Sequence, residues 1–177
     1  MDIRTAALVG FGGMGSMYAA HMALQTPAIE YAVVADTPRI ARYRAEGIVF
    51  NGTPIEVAFR SYEEVETSYD LVIFSVKYHC LSEAIEQSRS LVGPETTIIS
   101  VLNGIASEEE LADAFGEERV LPCVAQQMDS SKIGPIVSCG SIGVLALGVF
   151  EERQLPRLKR VTDFFDSIRL PYIIPDD

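Results

Sequence analysis

Positive charge is in short supply in this chain. Its 177 residues carry 14 Lys and Arg against 25 Asp and Glu, a formal net charge of −11. So acidic a surface repels nucleic-acid phosphates and anionic membrane headgroups, and it excludes both as partners. Histidine is scarcer still, with only His21 and His79. The cysteines Cys80, Cys123 and Cys139 are odd in number and lack metal-site spacing, so they read as reduced thiols in a cytoplasmic protein. No apolar run approaches a membrane span, and the first strand begins too close to residue 1 to leave room for a signal peptide. No Ser/His/Asp nucleophile arrangement and no metal-ligand cluster can be assembled. Repeats, low-complexity tracts and linkers are absent as well. With 48% hydrophobic and 22% charged residues, the composition is that of a single globular domain over residues 1–177.

What is there is a glycine turn. The apolar run Ala6-Ala7-Leu8-Val9 leads into Gly10-Phe11-Gly12-Gly13-Met14-Gly15, and a helical stretch from Ser16 to Leu24 follows. Strand, G-x-G-x-x-G and helix in that order is the context in which the motif means a dinucleotide site. Gly10 permits the tight turn, Gly12 lets the backbone approach a pyrophosphate, and Gly15 lets the helix pack on the strand. The helix N-terminus then presents N–H groups and a positive dipole end to the phosphates. Gly13 is not required by the pattern and only loosens the turn.

The second strand, Tyr31-Ala32-Val33-Val34-Ala35, ends at Asp36, 21 residues beyond Gly15. That is where an acid accepts hydrogen bonds from the adenosine ribose hydroxyls, which favours NADH. Asp36 or Thr37, with Pro38, equally reads as the cap of a helix over 39–46. Arg39 or Arg42 instead offers charge to the 2′-phosphate of NADPH.

Residues 48–57 read as a hairpin turning at Asn51-Gly52, an insertion without chemistry of its own. Ser61–Glu64 reads as a capped helical turn. Asp70–Val76 is a buried strand ending at Lys77, and Leu81, Ala84, Ile85, Ser88 and Val92 mark one face of the helix after it. Thr96–Leu102 is the next strand, ending at Asn103-Gly104, and Ser107-Glu108-Glu109-Glu110 opens another helix. Beyond Gly116, residues 120–127, 136–138 and 142–150 read as strands of an antiparallel meander. A last helix over 154–169 shows Leu155, Leu158, Val161, Phe165 and Ile168 on one side, and Tyr172–Ile174 makes a short edge strand. The fold class is therefore α/β, a Rossmann-type doubly wound parallel sheet with antiparallel strands added at the C-terminal end.

Ligands of such sheets bind outside the carboxyl ends of the strands. Here those ends are the glycine turn, Asp36, Lys77 and Asn103. Lys77 can polarise a carbonyl, bind a carboxylate or touch a phosphate, or it is a solvated lysine at a strand–helix junction. Asn103 offers a donor and an acceptor, or it belongs to an ordinary Asn-Gly turn. His79 reads as a helix-start residue and His21 as a packed or surface one. Gln126 and Gln127 lie in reach of the crevice if their strand runs toward it.

Taken together, Gly10–Gly15, Ser75-Val76-Lys77-Tyr78-His79-Cys80-Leu81 and Leu102-Asn103-Gly104-Ile105 resemble the ketopantoate reductases. Glu46-Gly47-Ile48, Gly134-Pro135 and Gly143 extend the resemblance along the whole chain, and the Val-Lys and Asn-Gly-Ile pieces are more diagnostic than the glycines. The resemblance implies reduction of the 2-oxo acid ketopantoate to pantoate, on the route to pantothenate and coenzyme A, with a reduced nicotinamide dinucleotide. It implies that Lys77 and Asn103 line the crevice for cofactor and substrate, together with the cofactor-binding residues Gly10, Phe11, Gly12, Gly13, Met14, Gly15, Asp36 and Arg39. The family's usual cofactor is NADPH, often with a basic residue where Asp36 stands. Family members continue into a helical domain that supplies the catalytic lysine and a glutamate, so residues 1–177 are expected to be the NAD(P)-binding half and nearly inactive alone. A homodimer is compatible with the sequence. The alternatives are another β-hydroxyacid-type dehydrogenase domain, a non-catalytic NAD(H)-sensing regulatory module and, last, an S-adenosylmethionine enzyme.

Overall fold

A computed structural model describes residues 2–25, 29–104 and 106–175. Ile105, the last residue of the Asn-Gly-Ile segment, and Asp176 and Asp177 at the chain end lie outside the described residues. In chain order the elements are β1 (Thr5–Val9), α1 (Gly13–Gln25), β2 (Glu30–Ala35), α2 (Thr37–Glu46), β3 (Ile48–Phe50), β4 (Thr53–Ile55) and β5 (Phe59–Ser61). There follow β6 (Leu71–Phe74), α3 (Leu81–Gln87), β7 (Thr97–Ser100), α4 (Ala106–Phe115) and β8 (Val120–Leu121). The C-terminal part holds β9 (Cys123–Gln126), β10 (Asp129–Ile133), β11 (Ile136–Ser141), β12 (Val144–Leu147), α5 (Leu155–Ser167) and β13 (Tyr172–Ile173).

Six strands form one parallel sheet in the order β5-β2-β1-β6-β7-β8. The two-residue period of a strand sorts its side chains into two cores. Ala6 and Leu8, Val33 and Ala35, Leu71 and Ile73 face one side, where Met17, Met22, Ile40 and Phe165 cover them. Ala7 and Val9, Ala32 and Val34, Val72 and Phe74 face the other, under Leu81, Ile85 and Leu111. Helices α1, α2 and α5 thus lie on one face and α3 and α4 on the other. This is the doubly wound α/β fold expected from the continuous apolar runs.

The antiparallel pairings gather in two smaller sheets. β9, β12 and β13 form one, with β12 central and β13 the short edge strand. The other, in the order β10-β11-β3-β4, unites the Asn51-Gly52 hairpin with a later one. Both turn residues of the first hairpin have positive φ, 47° and 82°, as the sequence demands. That hairpin is more than an excursion. The Asn51 amide donates to the Cys139 carbonyl at 2.9 Å and accepts from the Cys139 N–H at 2.8 Å, which anchors β11 beside β3.

Three expectations differ in detail. Residues 120–127 are not one antiparallel strand: β8 pairs parallel with β7, and β9 antiparallel with β12. The strand β10 was not foreseen, because Asp-Ser-Ser-Lys-Ile has almost no strand-forming composition. Leu155 does not join the buried stripe of α5 and is 50% exposed. The stripe starts one residue earlier, at Gln154, which is 1% exposed. Its amide donates to the carbonyls of Glu117 and Val120 and accepts from the Phe150 N–H, so a polar side chain fills the helical position ahead of Leu158.

Candidate cofactor crevice

The sheet changes direction between β1 and β6: the chain winds outward from β1 through β2 to β5, then returns to lay β6 on the opposite side of β1. A crevice opens at the carboxyl ends of these two strands, the switch point where such sheets take ligands. Its volume is about 280 Å³. Gly10, Phe11 and Gly12 wall it on one side, Ser75, Val76 and Lys77 on the other, and Arg39 and Tyr43 of α2 close one end.

Each glycine of the turn has a different job. Gly10 has φ +104°, and a Cβ there would stand 2.7 Å from the Val76 nitrogen. A Cβ on Gly15 would collide with the Gly10 carbonyl and reach within 2.5 Å of Ser75 Oγ. Both positions are closed by the protein itself. Gly12 differs, because a Cβ there would meet nothing within 4 Å. Internal packing makes no demand for glycine at this position, so the open space beside it is the cradle that a pyrophosphate would fill. Gly13 is closely approached: a Cβ there would stand 3.2 Å from the Ser130 carbonyl, a tight contact where β10 closes on the first turn of α1. Met14 is partly buried and packs against the apolar core. Phe11 is buried, its ring centroid 4.9 Å from that of Tyr43 and 5.2 Å from that of Phe59.

Ser75 is the residue sequence reasoning passed over. Its hydroxyl donates to the Gly10 carbonyl at 2.8 Å, and its N–H donates to Val9 at 2.8 Å, so the end of β6 clamps the glycine turn. The Ser75-Val76-Lys77 segment carried the signal, but only the pairing of β6 with β1 reveals it.

Asp36 caps α2. Its Oδ1 accepts from the Arg39 N–H at 2.8 Å, and its Oδ2 pairs with the Arg39 guanidinium at 3.2 Å. The capping reading and the carboxylate at the end of β2 therefore coexist. Arg39 lines the crevice; Asp36 stands behind it, outside the lining. Lys77 is exposed, extended, and followed by a 3-10 turn over Tyr78–Cys80. Asn103 is exposed just past β7, the neighbour of β6, and does not line the crevice. The Tyr78 hydroxyl donates to Glu110 of α4 at 2.6 Å, which ties the segment holding Lys77 to the helix that follows Asn103.

Glu83 and Gln87 of α3, with Cys80 just before it, add residues to the crevice lining that the sequence did not single out for the site. Gln87 donates to Glu83 at 3.2 Å, which fixes both at helical i, i+4 spacing. The remaining candidates fall outside. His21 is structural: its Nε2 lies 2.7 Å from the Ile168 carbonyl, and burial lowers its pKa. His79 is exposed, and neither it nor Gln126 and Gln127 line the crevice. Among the described residues no group of three or more His, Cys, Asp and Glu is placed to hold a metal, and no helix is long and apolar enough to cross a membrane.

Known proteins share the fold. The chain is 32% identical over 114 residues to a 2-dehydropantoate 2-reductase of Aquifex aeolicus, covering 64% of this chain and 36% of that protein. The structure of a 2-dehydropantoate 2-reductase from Geobacter metallireducens superposes with a TM-score of 0.79 at 24% identity, covering 98% of this chain and 58% of that one. A D-mandelate dehydrogenase with NADH and anilino(oxo)acetate gives a TM-score of 0.81 at 21% identity, covering 97% and 57%. The chain thus spans less than two thirds of each of these relatives. The family description that matches runs from β1 through the C-terminal sheets, over residues 6–150, and the protein belongs to the ketopantoate reductase PanE/ApbA family.

Proposed function

We propose that this chain holds a nicotinamide dinucleotide across the crevice and forms the cofactor-binding part of an oxidoreductase that reduces 2-dehydropantoate to pantoate. One observation carries the reading: a crevice at the switch point, beside a glycine whose missing side chain nothing in the protein requires. The turn Gly10–Gly15 and the start of α1 receive the pyrophosphate, and Asp36 with Arg39 receives the adenosine ribose. Lys77 and Asn103 belong to the nicotinamide and substrate side. A reduced nicotinamide dinucleotide held there would supply the hydride for the keto carbon, and the oxygen would need a proton to complete the alcohol. The Lys77 ammonium holds the substrate carboxylate or draws charge from the keto oxygen, and the Asn103 amide orients its neighbours by donating and accepting. On the family resemblance, the proton comes from a lysine of a helical domain, so residues 1–177 alone are expected to bind cofactor and to turn over poorly or not at all.

Cofactor choice rests on the Asp36–Arg39 pair. Oδ2 can exchange the arginine for the ribose diol, which favours NADH; the freed Arg39 would otherwise face a 2′-phosphate. Titration of the purified chain with each dinucleotide at fixed salt is expected to show tighter NADH binding. An NADPH preference abolished by Arg39→Ala would make the arginine decisive instead. In the whole protein, Lys77→Ala and Asn103→Ala are each expected to cut ketopantoate turnover at least tenfold. Full activity in both would remove the catalytic reading and leave a nucleotide-sensing module. A second reading, a dehydrogenase of another hydroxy acid, is supported by the D-mandelate dehydrogenase likeness. A substrate panel that shows hydroxy-acid oxidation without ketopantoate reduction would favour it.

A further inference from the structure

The strand β10 is built inside out. Ser130 and Lys132 are its half-buried positions, and Asp129, Ser131 and Ile133 are exposed. In the same sheet the inward residues of β11 and β3 are ordinary, with Val137 and Ile48 buried. An inward strand face carries polar groups only where something beneath it rewards them. Beneath this one lies the glycine turn. A Cβ on Gly13 would be 3.2 Å from the Ser130 carbonyl and 3.5 Å from its Oγ. Two residues further along the same face, the Lys132 Nζ stands 5.1 Å from the centroid of the Phe11 ring and 5.5 Å from that of Tyr43. Both rings line the crevice.

Lys132 has the rings and little else. Among the described residues it enters no ion pair. Burial lowers its pKa; Glu46 works against that shift and Arg42 adds to it. Of the three lysines, Lys159 pairs with Asp163, whereas Lys77 and Lys132 enter no ion pair among the described residues. One held half-buried over two rings of the crevice wall, with no carboxylate in ion-pair contact, is placed for an anion that arrives from outside.

We propose that Lys132 is a phosphate-binding residue for the dinucleotide, reaching past Phe11 toward the open space beside Gly12, with Ser130 as a second donor from the same strand face. The parallel sheet supplies the floor of the site and the β10-β11-β3-β4 sheet supplies its upper wall. The proposal rests on the cofactor reading above, and its test separates the two.

The purified chain is titrated with NADH and NADPH at low and high salt, and with inorganic pyrophosphate and nicotinamide riboside as competitors. Lys132→Met, which keeps the apolar stem over the rings, is expected to weaken both dinucleotides about tenfold and to flatten the salt dependence. Pyrophosphate should lose affinity with it, and the phosphate-free riboside should not. Lys132→Arg should restore binding to within about threefold of the wild type. If Lys132→Met binds both dinucleotides as the wild type does, with the same salt dependence, the lysine only packs on the rings and the proposal falls while the cofactor reading stands. A folded Lys132→Arg chain that binds as weakly as the methionine variant also overturns it, because charge is then not what matters. Should the methionine variant fail to fold, Lys132→Gln takes its place under the same criteria. A wild-type chain that binds neither dinucleotide ends the cofactor reading and this proposal together.

Discussion

The parallel sheet has two ends, and they spend their polar groups differently. At the amino ends of the strands the protein bonds to itself. Asp70 Oδ2 accepts from the N–H groups of Arg4 and Thr5 at 2.8 and 3.0 Å, while the Thr5 hydroxyl accepts from the Asp70 N–H. The Thr96 hydroxyl donates to the Tyr69 carbonyl, and Arg157 of α5 fastens the loop before β7 through the carbonyls of Pro94, Glu95 and Thr96. At the carboxyl ends the pattern reverses. Gly12 faces open space, Lys77 and Asn103 are exposed, and Lys132 rests on aromatic faces. The first end spends its polar groups on internal bonds; the second does so at Ser75 and Asp36 and leaves Lys77 and Asn103 exposed. A side chain at the first should move the melting temperature, and one at the second should move affinity.

The largest effect tests the closed end. Asp70→Ala leaves two strand-start N–H groups without their acceptor and removes the carboxylate nearest Arg160, 3.9 Å away. A loss of about 2–4 kcal/mol of stability is expected in a denaturant titration, with Asp70→Asn losing less. Dinucleotide affinity, measured well below the melting point, should be unchanged; a parallel fall in affinity would break the division between the ends.

The intermediate effect belongs to the open end. Gly12→Ala meets no atom within 4 Å, so stability should stay within about 0.5 kcal/mol of the wild type. Dinucleotide affinity should fall about tenfold or more, because the methyl group occupies the cradle. Gly15→Ala is the contrast: its Cβ collides with the Gly10 carbonyl, so there stability itself should drop. Equal melting curves for the two variants would contradict the assignment of the three glycines.

The smallest effect lies away from both ends. Burial lowers the pKa of His21 in the folded chain, so the unfolded chain takes up a proton first as pH falls. Stability tied to this group is fully present above the unfolded value, about 6.5, and is lost as pH drops from there toward the folded value. Comparing melting temperatures at pH 7.5 and 5.5, as conditions on the order of one unit either side of that value, should show a slightly smaller acid loss in His21→Asn. An unchanged pH slope would mean that the histidine titrates alike in both states.

Much of the fold was legible because its signals are local. The runs Ala6–Val9, Tyr31–Ala35 and Asp70–Val76 can be covered only on both faces, and Asn51-Gly52 can hardly do other than turn. The glycine spacing pointed to the turn that walls the crevice, and Asp36 with Pro38 to the cap of α2. Ser75 stayed hidden because its importance lies in a bond to a residue 65 positions earlier. The strand β10 stayed hidden because its polarity serves what lies beneath it and not its own propensity. Gly13 looked dispensable until β10 was seen against it.

The sequence by itself determined most of the segments that become strands and helices and where the glycine turn falls, since apolar periodicity and backbone sterics act over a few residues. Only the tertiary structure decided which of these meet: that β6 locks the turn, that a hairpin from residues 48–55 joins one from residues 129–141, and that Lys132 comes to stand over Phe11. Those meetings depend on long-range packing, and no local pattern of residue types records it.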